Sequence, residues 1–282
     1  MRRTNPRSAL LPLSILFLVA SVALGAPKKI LRARKPSPPA ATGTEAAPSA
    51  ADLIKKSDWQ MRGRFLESRV MMRVVRGKET RTLEFLLWAK GTERAVVKIL
   101  SPEKDRSTAH LRIGTDLWNY TPAVERVQKV APSMMQTAWM GADFSNGDLV
   151  RSTNLSRYYD HRLIGREKIE GLDAYKVESL PRKDVPVEPG KIVTWVTADG
   201  LQLKQEYFGE DGKLQRTLVG KNFKQSGEHH YPSTLVVTKA GEKDAFTQVD
   251  YRAMRFDRPL DETIFTQEFL KKRIDAPDVP RP

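Results

Sequence analysis

From about residue 59 onward, apolar and polar residues alternate with period two along most of this chain, which predicts half-buried β-strands. In one run Thr82, Glu84, Leu86 and Trp88 face one way while Leu83, Phe85, Leu87 and Ala89 face the other. In the next, Ala95, Val97 and Ile99 alternate with Val96, Lys98 and Leu100. Further strands are expected at 175–178, 192–196, 201–208, 214–219, 235–237 and 246–251. Between them stand Arg76-Gly77-Lys78, Lys90-Gly91-Thr92, Asp199-Gly200, Asp211-Gly212 and Ala240-Gly241-Glu242, all residues suited to tight hairpins. This predicts about ten or eleven strands, with no crossover-length helix between most of them, and therefore an antiparallel meander.

Helical signals are few. A short helix is expected at 51–57, and terminal turns at 261–265 and 267–272 after Pro259. The Met/Trp segment and residues 145–150 form another candidate, where Ser145-Asn146-Gly147-Asp148 has the spacing of a capping box. A sheet this long curls, and its inner face needs a partner that so few helices can only partly supply. The expected architecture is mainly β (α+β): a single curved antiparallel sheet forming an incomplete barrel, covered by a few short helices. No composition break divides residues 51–275, so they read as one domain, with 276–282 as a tail.

The N-terminal region has a different character. Arg2, Arg3 and Arg7 precede an apolar run from Ala9 to Leu24, and Ala23-Leu24-Gly25 offers small residues for cleavage. That is the pattern of a secretory signal over 1–25, with an uncleaved anchor as the other possibility. Residues 26–50 form a basic Pro/Ala-rich linker. Residues 1–50 contain eight Lys/Arg and one Glu, which is half of the formal charge of +14. The rest of the chain is thus only mildly basic. The linker suits peripheral contact with an anionic membrane, and no motif supports nucleic-acid binding.

Chemistry is sparse. With no cysteine in the chain there are no disulfides, thiolate metal sites, cysteine nucleophiles or lipid attachment at cysteine. Gly-x-Ser-x-Gly, Walker and His-Glu-x-x-His motifs are missing. The four histidines are His110, His161, His229 and His230. The last two are adjacent on an expected strand and point to opposite faces, which argues against a shared metal. No catalytic residue, metal site or cofactor is expected, and the chain reads as non-enzymatic.

The most informative stretch is 117–151. Leu117-Trp118-Asn119-Tyr120-Thr121-Pro122 is followed by a basic strand, then by Met134-Met135-Gln136-Thr137-Ala138-Trp139-Met140, and finally by Gly141-Ala142-Asp143-Phe144 and Asp148-Leu149-Val150-Arg151. This order of parts resembles the outer-membrane lipoprotein-sorting family, the periplasmic lipoprotein carriers with a half-barrel fold. The resemblance implies an apolar groove, closed by helical lids, that shields the acyl chains of a lipid or a lipidated protein in the periplasm. It also implies a membrane partner, such as an inner-membrane transporter. A sensor or adaptor of the same fold, working with an exporter of the resistance-nodulation-division type, is the alternative. Wall candidates are Leu83, Phe85, Leu87, Val97, Ile99, Leu111, Ile113, Leu117 and Tyr120. Met134, Met135, Trp139 and Met140 are the lid candidates, because unbranched methionine repacks easily. Trp118, Pro122, Gly141, Asp143, Phe144 and Asp148 complete the motif in structural roles, with Asp143 expected to cap a helix or bond within the fold. Which face of each strand turns inward is left open by the alternation.

Overall fold

The computed structural model describes residues 48–151, 155–183 and 190–274. The expected signal and tail, and the linker apart from its last three residues, lie outside them.

Among the described residues, thirteen strands form one antiparallel sheet, curved and unclosed. They are β1 Phe65–Arg76, β2 Glu79–Lys90, β3 Arg94–Ser101, β4 Ala109–Ile113, β5 Asp116–Thr121, β6 Arg126–Lys129, β7 Tyr159–Ile169, β8 Leu172–Pro181, β9 Lys191–Val196, β10 Gln202–Phe208, β11 Leu214–Ser226, β12 His229–Lys239 and β13 Ala245–Phe256. Their order across the sheet is β6-β5-β4-β3-β2-β1-β13-β12-β11-β10-β9-β8-β7. Nearly every strand therefore pairs with its sequence neighbour, and the first and last strands meet in the middle. The exception is the step from β6 to β7, which lie at opposite edges. Strand β7 is absent from the expected set because residues such as Asp160, Arg162, Arg166 and Lys168 leave it little alternation. A charged edge strand of this kind resists pairing with other chains.

Among the described residues, four α-helices accompany the sheet: α1 Ala50–Arg62, α2 Asn146–Arg151, α3 Leu155–Tyr158 and α4 Gln267–Lys271. The Ser49 side chain accepts from the Asp52 amide and starts α1. This helix runs five residues past the expected end at Ser57, and the first strand begins correspondingly later than the alternation suggested. Its Leu53 and Ile54 are fully buried against Tyr159, Val177, Ile192, Val196 and Tyr207 on one half of the inner face. Helix α1 rests directly on the turn before β10. A Cβ at Gly200 would lie 2.8 Å from the Lys56 carbonyl carbon, so only glycine fits there.

The other half of the inner face carries Val70, Met72, Leu83, Phe85, Val97 and Ile99. On the outer face, Leu86, Trp88, Val96, Ala109, Leu111 and Tyr120 pack beneath Phe265 and Leu270 of the C-terminal turns. Phe269 meets Trp88 edge-on there. A second outer cluster surrounds Trp195 of β9, whose ring lies between the ammonium groups of Lys176 and Lys204. Both faces of this sheet are thus apolar over much of their area, and hydrophobicity alone does not tell inside from outside.

Candidate functional site

Because β6 and β7 occupy opposite edges, the chain between Lys129 and Tyr159 must pass from one side of the sheet to the other. Its first part forms a roof over the inner face of β1–β3. Instead of the expected helix it is a chain of short turns: a 3-10 turn at Pro132–Met134, another at Trp139–Gly141, a bridge between Ala138 and Ser145, and then α2. Pro132 and Gly141 interrupt any longer helix. Met140 and Gly141 both take positive φ, at 50° and 80°, a conformation that costs glycine little and other residues more.

Polar contacts hold this roof at its edges. Arg76 of β1 donates two bonds to the Asp143 carboxylate, at 2.8 and 3.2 Å, and one to the Gly141 carbonyl at 3.0 Å. The Thr247 hydroxyl of β13 donates to Asp143 at 2.7 Å and accepts from the Asp143 amide at 2.9 Å. Asp143 is therefore a tie between the roof and the sheet rather than a helix cap. The capping box does form: the Ser145 amide donates to Asp148 at 2.7 Å, and the Asp148 amide donates to the Ser145 hydroxyl at 3.2 Å. Asp148 also accepts both ends of the Arg216 guanidinium. Burial alone would raise the Asp148 pKa, but Arg216 and the Ser145 hydrogen bonds together outweigh it and hold the group below its ordinary value.

Trp139 descends deepest from the roof, with Ala142, Phe144 and Leu149 packed around it. Trp139 is only 2% exposed; it stacks on Phe144 and meets Phe85 and His110 edge-on, with ring centres 5.4–5.7 Å apart. Beside it lies a hollow of about 230 Å³ lined by Val70, Phe85, Leu87, Val97, Leu149, Leu218, Leu235, Val237, Val249 and Tyr251. A second hollow of about 190 Å³ continues toward β4 and β5. The two share Met61, Arg62, Leu87, Val97, Leu149 and Tyr251, so they are compartments of one groove. Polar groups stand at its margin: Asp58 and Arg62 from α1, Gln205 from β10, and the Asp148–Arg216 pair. Burial raises the Asp58 pKa to about 6, although Arg62 and Ser156 pull it back. Burial lowers His110 to about 4, against the opposing bond to Asn119.

Of the expected wall residues, Phe85, Leu87 and Val97 line the first compartment and Leu117 the second. Leu83 and Ile99 lie on the same face, fully buried in the cluster around Trp139. Leu111 and Tyr120 belong to the outer face, beneath α4, and Ile113 is 38% exposed. The pairing explains why: Val97 stands opposite His110, and Val96 opposite Leu111. On β4 it is the polar residues His110 and Arg112 that turn inward. Trp88 and Trp118 pack in the outer cluster, and Pro122 opens the turn after β5. Among the lid candidates, Trp139 is the plug, Met140 packs on the inner cluster, and Met134 is half exposed.

Asp58, Arg62, Gln205 and Arg216 were not foreseen. Leu235 and Val237 sit on an expected strand and could have been assigned to the wall from their alternation. Among the described residues, no group of three or more His, Asp or Glu is placed to hold a metal. Nor is any helix long and apolar enough to cross a membrane.

Comparison with known proteins adds the following. A family model described as "Uncharacterized protein" matches residues 91–272, more than half of the chain. Among solved structures, a DUF1329 family protein from Desulfovibrio piger aligns with a TM-score of 0.72 at 24% identity, over 78% of this chain and 97% of that one. An outer membrane lipoprotein-sorting protein domain from Vibrio parahaemolyticus gives 0.71 at 22% identity, over 79% and 98%. A LolA superfamily protein from Nitrosomonas europaea gives 0.67 at 25% identity, over 79% and 100%. No curated protein matches significantly. The fold is that of the LolA-like half-barrels.

Proposed function

Starting from a chain that belongs to the uncharacterized-protein family it matches over residues 91–272, and that folds as a LolA-like half-barrel, we propose that it is a periplasmic carrier that holds lipid acyl chains, free or on a lipidated protein. The observation that carries this reading is the roofed groove, two joined apolar hollows beneath a segment fastened at its edges and plugged by Trp139.

Each buried methylene is worth about 0.8 kcal/mol, so a sixteen-carbon chain is roughly 13 kcal/mol out of favour in water. A carrier across an aqueous compartment must supply an apolar surface to offset that. An empty hollow has its own cost, about 24 cal/mol per Å³. For the 230 Å³ compartment, which is partly open, this is at most about 5.5 kcal/mol, part of which a tail would recover on entry. The roof suits a moving part. Its ties to Arg76, Thr247 and Arg216 attach at Gly141, Asp143 and Asp148, on the C-terminal side of Trp139, which is the side chain that must withdraw. The names of the structural relatives point the same way. At its margin Asp58 pairs with Arg62 and Asp148 with Arg216, an arrangement that suits binding.

The test is direct. Purified protein is extracted and analysed by lipid mass spectrometry, and binding of the neutral apolar probe N-phenyl-1-naphthylamine is followed by fluorescence. Stoichiometric co-purified lipid and saturable probe binding are expected. Absence of both would overturn the proposal.

A further inference from the structure

We propose that the second compartment of the groove binds a compact oxyanion, so that the cargo is an anionic amphiphile whose head lies against Arg112 and whose tail lies along the Trp139 compartment. This rests on the reading of the groove as a hydrocarbon site and names the class of molecule it holds.

Among the described residues, Arg112 and Lys98 are the two buried cations without an ion pair. Arg112 lies on the inward face of β4, 3% exposed, and lines the second hollow together with Ala95, Val97, Leu117 and Leu149. Buried cations are ordinarily paired with carboxylates, yet Arg112 makes no ion pair among the described residues. Its Nη1 donates to the Thr92 carbonyl at 2.7 Å and, weakly, to the Gly114 carbonyl at 3.4 Å. These bonds fix the guanidinium by one nitrogen, while Nε is buried with no partner. The nearby Glu93 is engaged by Arg157 at 3.0 Å. Arg62, which lines the same hollow, is 3.3 Å from Asp58 of its own helix, so Arg112 is the cation left to the head group.

His110 lies beside it. Its Nδ1 donates to the Asn119 side-chain oxygen at 2.7 Å, so Nε2 of the neutral ring is an unpartnered acceptor and the oxyanion's donors come from Arg112 alone. A purely apolar tail would leave the guanidinium unsatisfied. A carboxylate or phosphate would accept from the free part of the guanidinium fork, the geometry for which arginine is suited. The head would sit toward β4 and the hydrocarbon would follow Leu87, Val97 and Tyr251 into the larger hollow, since these residues line both.

The experiment uses the purified full chain with N-phenyl-1-naphthylamine bound, and compares oleate, oleyl phosphate, neutral oleyl alcohol and inorganic phosphate as displacing agents. Oleate and oleyl phosphate should displace the probe at concentrations at least tenfold below oleyl alcohol. Arg112→Leu should abolish that preference while keeping probe binding, and Arg112→Lys should retain part of it. Equal potency of oleate and oleyl alcohol on the unmodified protein would overturn the inference whether or not the variants fold. So would a preference that survives Arg112→Leu. Protection of the site by inorganic phosphate alone, with no gain from a tail, would mark a free-phosphate site and contradict an amphiphile. If the unmodified protein bound neither the probe nor any oleyl compound, the carrier proposal itself would fail.

Discussion

The inner face of the sheet is covered twice, in two physically different ways. Over β7–β10 it is sealed by α1, a thirteen-residue capped helix whose Leu53 and Ile54 are completely buried. Over β1–β3 it is roofed by short turns that reach down with Trp139 and leave hollows on either side of Phe85, Leu87 and Val97. The first cover owes its stability to packing. The second is fastened mainly by charged and polar ties at its edges. Packing resists displacement everywhere along a helix, whereas an edge-tied roof can lift once its plug is released. Under the proposed function, the helix-covered half is the part that stays folded and the roofed half the part that opens.

The comparison breaks most visibly where packing is removed. Leu53→Ala should cost about 4 kcal/mol, the usual range for a buried leucine, measured as a shift in urea midpoint, and should leave probe affinity unchanged in the folded protein. Next, Arg76→Met would strip the bidentate partner from Asp143, whose side chain is fully buried. It should cost about 3 kcal/mol and accelerate hydrogen exchange in residues 132–149 well beyond that in α1.

Asp58 sits where the two covers meet, on α1 but facing the hollow. Burial raises its pKa from 3.8 to about 6. The native state therefore holds this proton more tightly than the unfolded chain does. The associated stability is fully present below about pH 4 and is lost as the pH rises through about 6. An asparagine does not ionise, so Asp58→Asn should match the unmodified protein near pH 4 and exceed it by about 3 kcal/mol at pH 8. Melting temperatures across this range would show it; a constant difference would contradict it.

Trp139→Ala sharpens the contrast. Tryptophan is larger than leucine, yet this ring borders an existing hollow and its buried Nε1 has no partner. The loss should be about 2 kcal/mol, less than the usual range for tryptophan, with tighter binding of the neutral probe as the groove enlarges. A loss exceeding that of Leu53→Ala would make the roof an ordinary core. The smallest effect is expected at Gly141, where φ is +80° and an added Cβ would meet nothing closer than 3.8 Å. Backbone strain alone should make Gly141→Ala cost about 1 kcal/mol, visible as a small drop in melting temperature.

Much of this arrangement is legible in the sequence. The alternation in β2 separates Leu83, Phe85 and Leu87 from Leu86 and Trp88, and the structure places these sets on opposite faces. The same reasoning misplaces Leu111 and Tyr120, because the C-terminal turns cover the outer face and reward apolar residues there as well. An inward arginine and histidine on β4 look like solvent-facing positions until the register with Val97 is known. The roof is hard to read for another reason: its bonds join residues more than sixty positions apart, such as Arg76 with Asp143 and Asp148 with Arg216. No local pattern announces them.

The most direct test of the central claim is to map where hydrocarbon sits, using a diazirine-bearing fatty acid on the unmodified protein followed by peptide mass spectrometry. Crosslinks should concentrate on β2, β3 and residues 139–149, around Phe85, Leu87, Val97 and Leu149. Labelling confined to the outer cluster around Trp88 and Phe269, or spread evenly over the surface, would contradict a groove that opens beneath its roof.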